Sequence, residues 1–434
     1  MKRLPIEGLH PGKLFRGQLG GWCDAYRMRG MTNTLTIGER VAWYRRRRGM
    51  SQEVLAGLVD RTEDWLSKVE NNRIQLDRLS VIKSLADVLD VALADLVAEP
   101  SLVSWTSDSG MRTVPALRAA LMDYRKVTPF GAGSSVEPPP IDALQQELKT
   151  LWDAYQDARF GYVTGRLPSL IAHAEAAVSA MSGDALDDAR RVLGLAYQLA
   201  AVQLTKIGEA DLSWIAADRG LGAARAAGDV VLTGTLLRSV AHALQATGRY
   251  REAVQLTNDA ANYLEPHLSN ATPELLSVYG TLFLAGSIAA ARANDAITTR
   301  TFLTAADETA QRLGHDANHL WTAFGPTNVA IHRVATAAEL GDIQVAVDLG
   351  PRVDTSGLPM ERRVRHSLEV ARALSAWNRA DEALDTVLAA EKMAPEQVRY
   401  HVLSRQLVLS WIRHQRSKPS TVLVDLARRL DVMD

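Results

Sequence analysis

The chain has 434 residues, enough for about three globular units at roughly 150 residues each, although stacked repeat arrays escape that arithmetic. Hydrophobic residues make up 47% and charged residues 23%, which excludes wholesale disorder and a collagen-like chain. With 49 basic and 50 acidic residues the net charge is -1, so polyanion binding by bulk charge is excluded and any nucleic-acid contact has to come from a local basic patch.

One cysteine, Cys23, cannot close an intramolecular disulfide and has no spaced histidine or second cysteine beside it, which fits a reducing, cytoplasmic setting. No apolar run reaches the roughly 20 uncharged residues that cross a bilayer, so no membrane contact is expected. In the leader, Lys2 and Arg3 are followed by Pro5, Gly8, Pro11, Gly12, Gly17, Gly20 and Gly21, where a secretory signal needs an apolar core. Residues 1–31 are therefore expected to lack order. Met31, which directly precedes the first helical pattern, is the expected natural start, and a basic DNA-contacting arm is the rival reading of the leader.

Residues 32–99 predict a small all-helical domain of five short amphipathic segments. Thr36 with Glu39 reads as a capping box opening a helix whose face carries Ile37, Val41 and Tyr44, and which runs into Arg45, Arg46, Arg47 and Arg48 before Gly49. Ser51 is expected to cap a second helix from Gln52 to Val59, and Thr62 a third from Glu63 to Asn71. The short gap between these two predicts a helix-turn-helix. A fourth helix, about 76–89, and a turn from Leu93 to Val97 would cover the apolar side.

Residues 100–140 read as a linker, bounded by Pro100 and by Pro138, Pro139 and Pro140, with one short helix near 116–124. From Ile141 to the end the pattern is continuously helical. Turn signals return at Gly165-Arg166, Gly208-Glu209, Gly248-Arg249, Asn294-Asp295, Gly341-Asp342 and Asn378-Arg379. A period near 40 residues in helical sequence marks helix pairs stacked as an α-solenoid, because one pair cannot bury its own apolar face. The fold class predicted is all-α throughout.

The segments Ile37-Gly-Glu-Arg-Val, Arg48-Gly-Met-Ser-Gln-Glu-Val-Leu-Ala and Trp65-Leu-Ser-Lys-Val-Glu-Asn-Asn resemble the Cro/C1-type (XRE family) helix-turn-helix of bacterial repressors. Leu55, Ala56, Val59, Leu66 and Val69 fall on positions that family buries, whereas Asp60 and Asn72 stand where it usually has glycine. Both residue types tolerate left-handed backbone. The stretch Ala241-x-x-Leu244-x-x-x-Gly248-Arg-Tyr250-x-Glu-Ala253, and the sequence around Ala383 and Pro395, resemble tetratricopeptide repeats. The combination is similar to actinobacterial XRE-type regulators with C-terminal repeats and to peptide-sensing regulators of Gram-positive bacteria.

That resemblance implies a sequence-specific transcriptional regulator binding double-stranded DNA, with the third helix in the major groove. Thr62, Glu63, Asp64, Ser67 and Lys68 would face the groove. Lys68 suits guanine O6 or N7, while Glu63 and Asp64 suit cytosine N4 or simply offset the helix dipole. Gln52, Asn71, Asn72 and Arg73 match phosphate-contacting positions, and Arg45, Arg46 and Arg47 form a basic run beside them. Residues 36–75 hold only two more cations than acids, which argues for a homodimer on a palindromic operator.

In the array, Asn328 and His332 share a helical face, with Thr327 before them and Trp321 and Phe324 close by, and Arg238 and His242 hold similar places in an earlier repeat. These seven residues are candidates for a peptide or small-molecule effector site, the alternative being ordinary buried polar groups and packing. His315 and His319 have metal-compatible spacing but no third ligand, Gly220-x-Gly222 lacks phosphate-loop context, and no nucleophile elbow is present. No metal, cofactor or enzymatic activity is expected. The rival to a regulator is a non-enzymatic interaction scaffold that the small domain localises.

Overall fold

The structure is a computed structural model that describes residues 36–74, 76, 79–89, 91, 96, 114–123, 137–414 and 419–433. The expectations for the leader and Cys23 lie outside the described residues, as does the turn at Leu93–Val97 apart from the buried Leu96. Among the described residues twenty α-helices occur and no strand beyond a single bridge between Ala317 and Phe324. The fold class is all-α. The chain divides into two compact units, one up to Ala98 and one from Glu99 on, with residues 78–80 grouped with the second.

The first unit opens with α1 (Ile37–Arg47), α2 (Gln52–Leu58), α3 (Glu63–Glu70) and α4 (Leu79–Leu89). Both halves of the predicted capping box form: the Glu39 amide donates to the Thr36 hydroxyl at 3.0 Å and the Thr36 amide to the Glu39 carboxylate at 2.7 Å. Ser51 and Thr62 cap α2 and α3 by accepting from the Val54 and Trp65 amides. Asp60 and Asn72 take φ of 53° and 57°, the left-handed conformation that glycine would supply there. Leu55, Ala56, Leu66 and Val69 are buried between α2 and α3, while Val59 is only half-buried. Each buried leucine contributes about 1.5–3 kcal/mol, which fixes the angle between the two helices.

The second unit begins with α5 (Val114–Leu121), whose Val114, Leu117 and Leu121 are buried and which packs against two helices of the array. The short helix expected near 116–124 thus runs from Val114 to Leu121 and is docked on the array. Seven helix pairs follow: α6 (Ile141–Gln156) with α7 (Phe160–Ala180), α8 (Asp184–Lys206) with α9 (Ala210–Ala226), α10 (Val230–Ala246) with α11 (Tyr250–Leu264), and α12 (Pro273–Arg292) with α13 (Ala296–Leu313). Then come α14 (Pro326–Leu340) with α15 (Ile343–Leu349), α16 (Met360–Ala376) with α17 (Ala380–Met393), a short α18 (Pro395–Tyr400), and α19 (Val402–His414) with α20 (Thr421–Arg429).

Each tight turn within the first six pairs carries one left-handed residue, at Ala158, Gly208, Gly248, Asn294, Gly341 and Asn378. The five later turns fall where the sequence predicts them. The first does not: Gly165 and Arg166 lie inside α7, and the chain turns at Ala158 with φ of 60°. An alanine in that conformation carries no compositional signal, which is why the sequence pattern misses it. α12 is the one described helix long and apolar enough to cross a membrane by composition, and 83% of that window is buried as a core helix of the array.

The first helices of successive pairs, α6, α8, α10, α12, α14, α16 and α19, pack on one another as an inner layer, with their partners outside. The array also closes on itself. Gln156 at the end of α6 exchanges hydrogen bonds with Asn318, at 3.0 and 2.8 Å, and Trp152 stacks on Trp321 with ring centroids 5.1 Å apart. Farther along, the Gly161 amide donates to Glu396 at 2.6 Å, and Lys206 of α8 pairs with Glu361 of α16. The inner layer therefore turns side chains of distant pairs toward one another.

Candidate nucleic-acid interface and interior site

α3 turns Leu66, Val69 and Glu70 inward and leaves Glu63 and Asp64 exposed, with Ser67 and Lys68 half-exposed. Thr62 is exposed and spends its hydroxyl on the cap. The Lys68 ammonium lies 2.6 Å from Asp64, with side chains 44% and 73% exposed. Such a surface pair is worth at most about 1 kcal/mol, so exchanging Asp64 for a base or phosphate costs Lys68 little. Arg61, just before the helix, holds its guanidinium 5.6 Å from the Trp65 ring centre. The groove-facing set predicted from sequence therefore does share one open face.

The phosphate-facing set is more mixed. Arg46 and Arg73 are exposed, and the Arg47 side chain lies outside the described ones. Asn71 donates to the Ser67 carbonyl at 2.8 Å, and Asn72 is half-buried at its left-handed turn. Arg45 requires a correction. Its guanidinium is buried and makes a two-pronged pair with Glu70, at 2.6 and 2.7 Å, while also donating to the Met50 carbonyl at 2.8 Å. This carboxylate raises the arginine pKa above its ordinary value.

Glu70 also accepts from Gln52 at 2.7 Å, so one buried carboxylate ties the end of α1, the start of α2 and the end of α3 together. Sequence reasoning missed this, although the signal was present: Arg45 follows Val41 by four residues and so lies on the apolar stripe of α1. Arg40, three residues after Ile37, is likewise buried and donates to the Leu96 carbonyl at 3.0 Å.

In the array, most of the predicted effector residues belong to the scaffold. Phe324 is fully buried, and a β-carbon at Gly280 of α12 would fall inside its ring, so its place is the core of the fourth and fifth pairs. Trp321 is occupied by its stack on Trp152 and by a hydrogen bond from its indole to Asp153 at 3.0 Å. Thr327 donates from amide and hydroxyl to Asp316, at 3.0 and 2.6 Å. Asn328 donates to the Ala323 carbonyl at 2.9 Å, leaving its buried carbonyl oxygen unpartnered. Trp321, Phe324 and Thr327 are thus corrected from ligand groups to packing and capping groups. Leu320, Trp321 and Ala323 all have φ between 48° and 53°, and this strained segment is held in place by these interactions.

His332, Arg238 and His242 behave differently. They come from α14 and α10 of the inner layer and lie near charged residues of α12 and α16. Arg292 reaches Glu339 at 3.3 Å, Arg372 reaches Glu369 at 2.8 Å, and Arg365 reaches Glu369 and His401, each at 2.7 Å. Arg362 lies 4.0 Å from Glu361, which Lys206 already neutralises. The Arg238 side chain is buried and has no ion pair among the described residues, and its Nε lacks any hydrogen-bond partner.

The electrostatic consequences follow from burial among like charges. Burial, reinforced by Arg362, Arg365 and Arg238, pushes His332 down to about 3, and burial with Arg238, Arg362 and Arg292 nearby holds His242 well below its ordinary value. Burial and the nearby Arg362 push even Arg238 down, to about 10. Conversely, Lys206 and Arg362 overcome burial to hold Glu361 at about 2, and Arg372 and Arg365 do the same for Glu369. The His332 Nδ1 lies 2.8 Å from the Asn328 carbonyl, so in the neutral ring this nitrogen carries the proton and donates.

Comparison with known proteins agrees with the first unit. A family described as a helix-turn-helix domain matches residues 36–99, so this part of the chain is a helix-turn-helix domain. No curated protein matches the chain. A crystal structure of Bacillus thuringiensis PlcR in complex with the peptide PapR7 and DNA is similar over 64% of this chain and 95% of that one, at 14% identity and a TM-score of 0.29. That likeness is too loose to carry an argument about function.

Proposed function

We propose that this protein is a cytoplasmic, non-enzymatic, sequence-specific transcriptional regulator of the Cro/C1 type, acting as a homodimer on a palindromic operator. Its tetratricopeptide-like array would receive a peptide or small-molecule signal. The observation that carries the DNA-binding part is α3: capped at Thr62, locked on α2 by Leu66 and Val69, and open at Glu63, Asp64, Ser67 and Lys68. With Arg40 and Arg45 turned inward, a single domain presents less positive charge than the sequence suggests, which strengthens the case for two domains acting together.

The test is selection of bound duplexes from a randomised pool by the full-length chain. A single enriched motif with two-fold symmetry is expected. Lys68→Ala should then lower affinity for that motif by about 1–3 kcal/mol and relax preference at one position in each half-site. Arg46→Ala should weaken selected and random duplexes alike and flatten the salt dependence by roughly 0.9 for each phosphate it no longer neutralises. Recovery of random sequence from the selection would overturn the regulator reading in favour of a scaffold.

A further inference from the structure

Among the described residues, the inner helices of the array gather more cations than carboxylates. Six cations, Lys206, Arg238, Arg292, Arg362, Arg365 and Arg372, converge from α8, α10, α12 and α16. Among the described residues, the carboxylates that meet them are Glu339, Glu361 and Glu369, and each is already engaged by at least one cation. The neighbouring His242 and His332, held neutral, add no further positive charge.

Burying unpaired charge is costly, and proteins normally pair such groups or leave them in water. Here the Arg238 side chain is buried with an orphaned Nε, and the Arg362 Nε is buried without a hydrogen-bond partner. Arg362 and Arg365 nevertheless keep 25% and 34% of their side-chain surface open, and His242 and His332 are only half-buried, so solvent reaches this cluster. Forked guanidinium groups gathered from different helices are suited to an oxyanion, which can accept two parallel hydrogen bonds from each.

We propose that the interior of the array is a binding site for a small oxyanion carrying at least two negative charges, a polycarboxylate or a phosphate, held by Arg238 and Arg362 beside His242 and His332. This deepens the signal-receiving part of the proposed function and rests on it only for the regulatory consequence. An anion bridging α10 and α16 would draw together two inner helices that are three pairs apart in the count, and so favour the closed arrangement of the array over a looser one.

The experiment uses the full-length chain without DNA, titrated by calorimetry and thermal melting with citrate and, separately, with inorganic pyrophosphate, against potassium chloride at matched ionic strength. At least one of the two should bind and raise the melting temperature of the array, and which one does so distinguishes the carboxylate from the phosphate source. Arg238→Gln and Arg362→Gln should each weaken binding tenfold or more. Arg238→Gln should not lower the melting temperature of the anion-free protein, because it removes a buried charge that has no ion pair among the described residues, whereas Arg362→Gln also gives up its contact with Glu361 and is read by binding. Arg333→Gln, which alters the outward pair with Asp307, should bind as the parent does. Binding of neither anion beyond the chloride control would overturn the proposal, as would unchanged affinity in both arginine variants. Repeating the selected-duplex titration with the anion present separates the two ideas: an anion that binds but leaves DNA affinity unchanged keeps the site and removes the sensing role.

Discussion

Replacing Glu70 by alanine tests the internal organisation of the helix-turn-helix. The carboxylate accepts three hydrogen bonds, two from Arg45 at 2.6 and 2.7 Å and one from Gln52 at 2.7 Å, and its side chain is only 3% exposed. Its removal strands a buried guanidinium, a change that costs about 3–5 kcal/mol where one partner of a buried pair is taken away. A domain the size of residues 36–99 has a total stability of only about 3–10 kcal/mol, at roughly 0.05–0.15 kcal/mol per residue. Glu70→Ala should therefore unfold this unit or bring it close to unfolding. The array has its own core, so the effect should be read locally, by hydrogen exchange of the segments that carry Val41, Leu55 and Leu66.

The matched control is Arg45→Met combined with Glu70→Leu, which removes both charges and leaves no orphan. It should recover most of the protection, to within about 1 kcal/mol of the parent, because Gln52 is half-buried and can turn to water. If the single Glu70 variant loses less than about 1 kcal/mol, or the double variant is no better than the single, the network does not hold the helices as argued. The same double variant reports on Arg45 itself. Retained DNA affinity is expected of an interior residue, whereas a loss that tracks salt would return it to the phosphate interface.

Gly280→Ala should lower the melting temperature of the array by several degrees, since the added carbon displaces the Phe324 ring at a cost of about 1–3 kcal/mol, and Phe324→Leu in the same chain should recover part of it; an unchanged melt would show that this ring does not seal the fourth pair against the fifth. Acidification from pH 7 to 5 should also destabilise the array. His332, held at about 3, and His242 and His401, held well below their ordinary value, stay neutral in the folded state while the unfolded chain takes up protons below about 6.5. Stability is thus complete above that value and falls as pH drops, by up to about 1.4 kcal/mol per unit for each histidine. Glu361 and Glu369, both near 2, add a loss only below the ordinary carboxylate range. A melting temperature that is flat or rising across this interval would refute the assignment of neutral interior histidines.

The sequence by itself determined what depends on neighbours a few residues apart. The caps at Thr36, Ser51 and Thr62, the left-handed Asp60 and Asn72, and five of the six predicted turns of the array all rest on local hydrogen bonding and backbone sterics. The outward face of α3 followed from the same helical period. The tertiary structure decided the fate of charge and of aromatic bulk. Whether Arg45 meets phosphate or Glu70, twenty-five positions away, is a question of which side chain a distant helix presents, and periodicity could flag its burial without naming its partner. Likewise Trp321 and Phe324, which looked like a ligand platform beside Asn328, are taken up by Trp152 and Gly280, whereas Arg238, His242 and His332 lie among the charged residues of the inner helices. Those residues are brought together with Arg362 only because successive inner helices stack and close on one another. The excess charge between them is a sum over four helices that no local window of sequence contains.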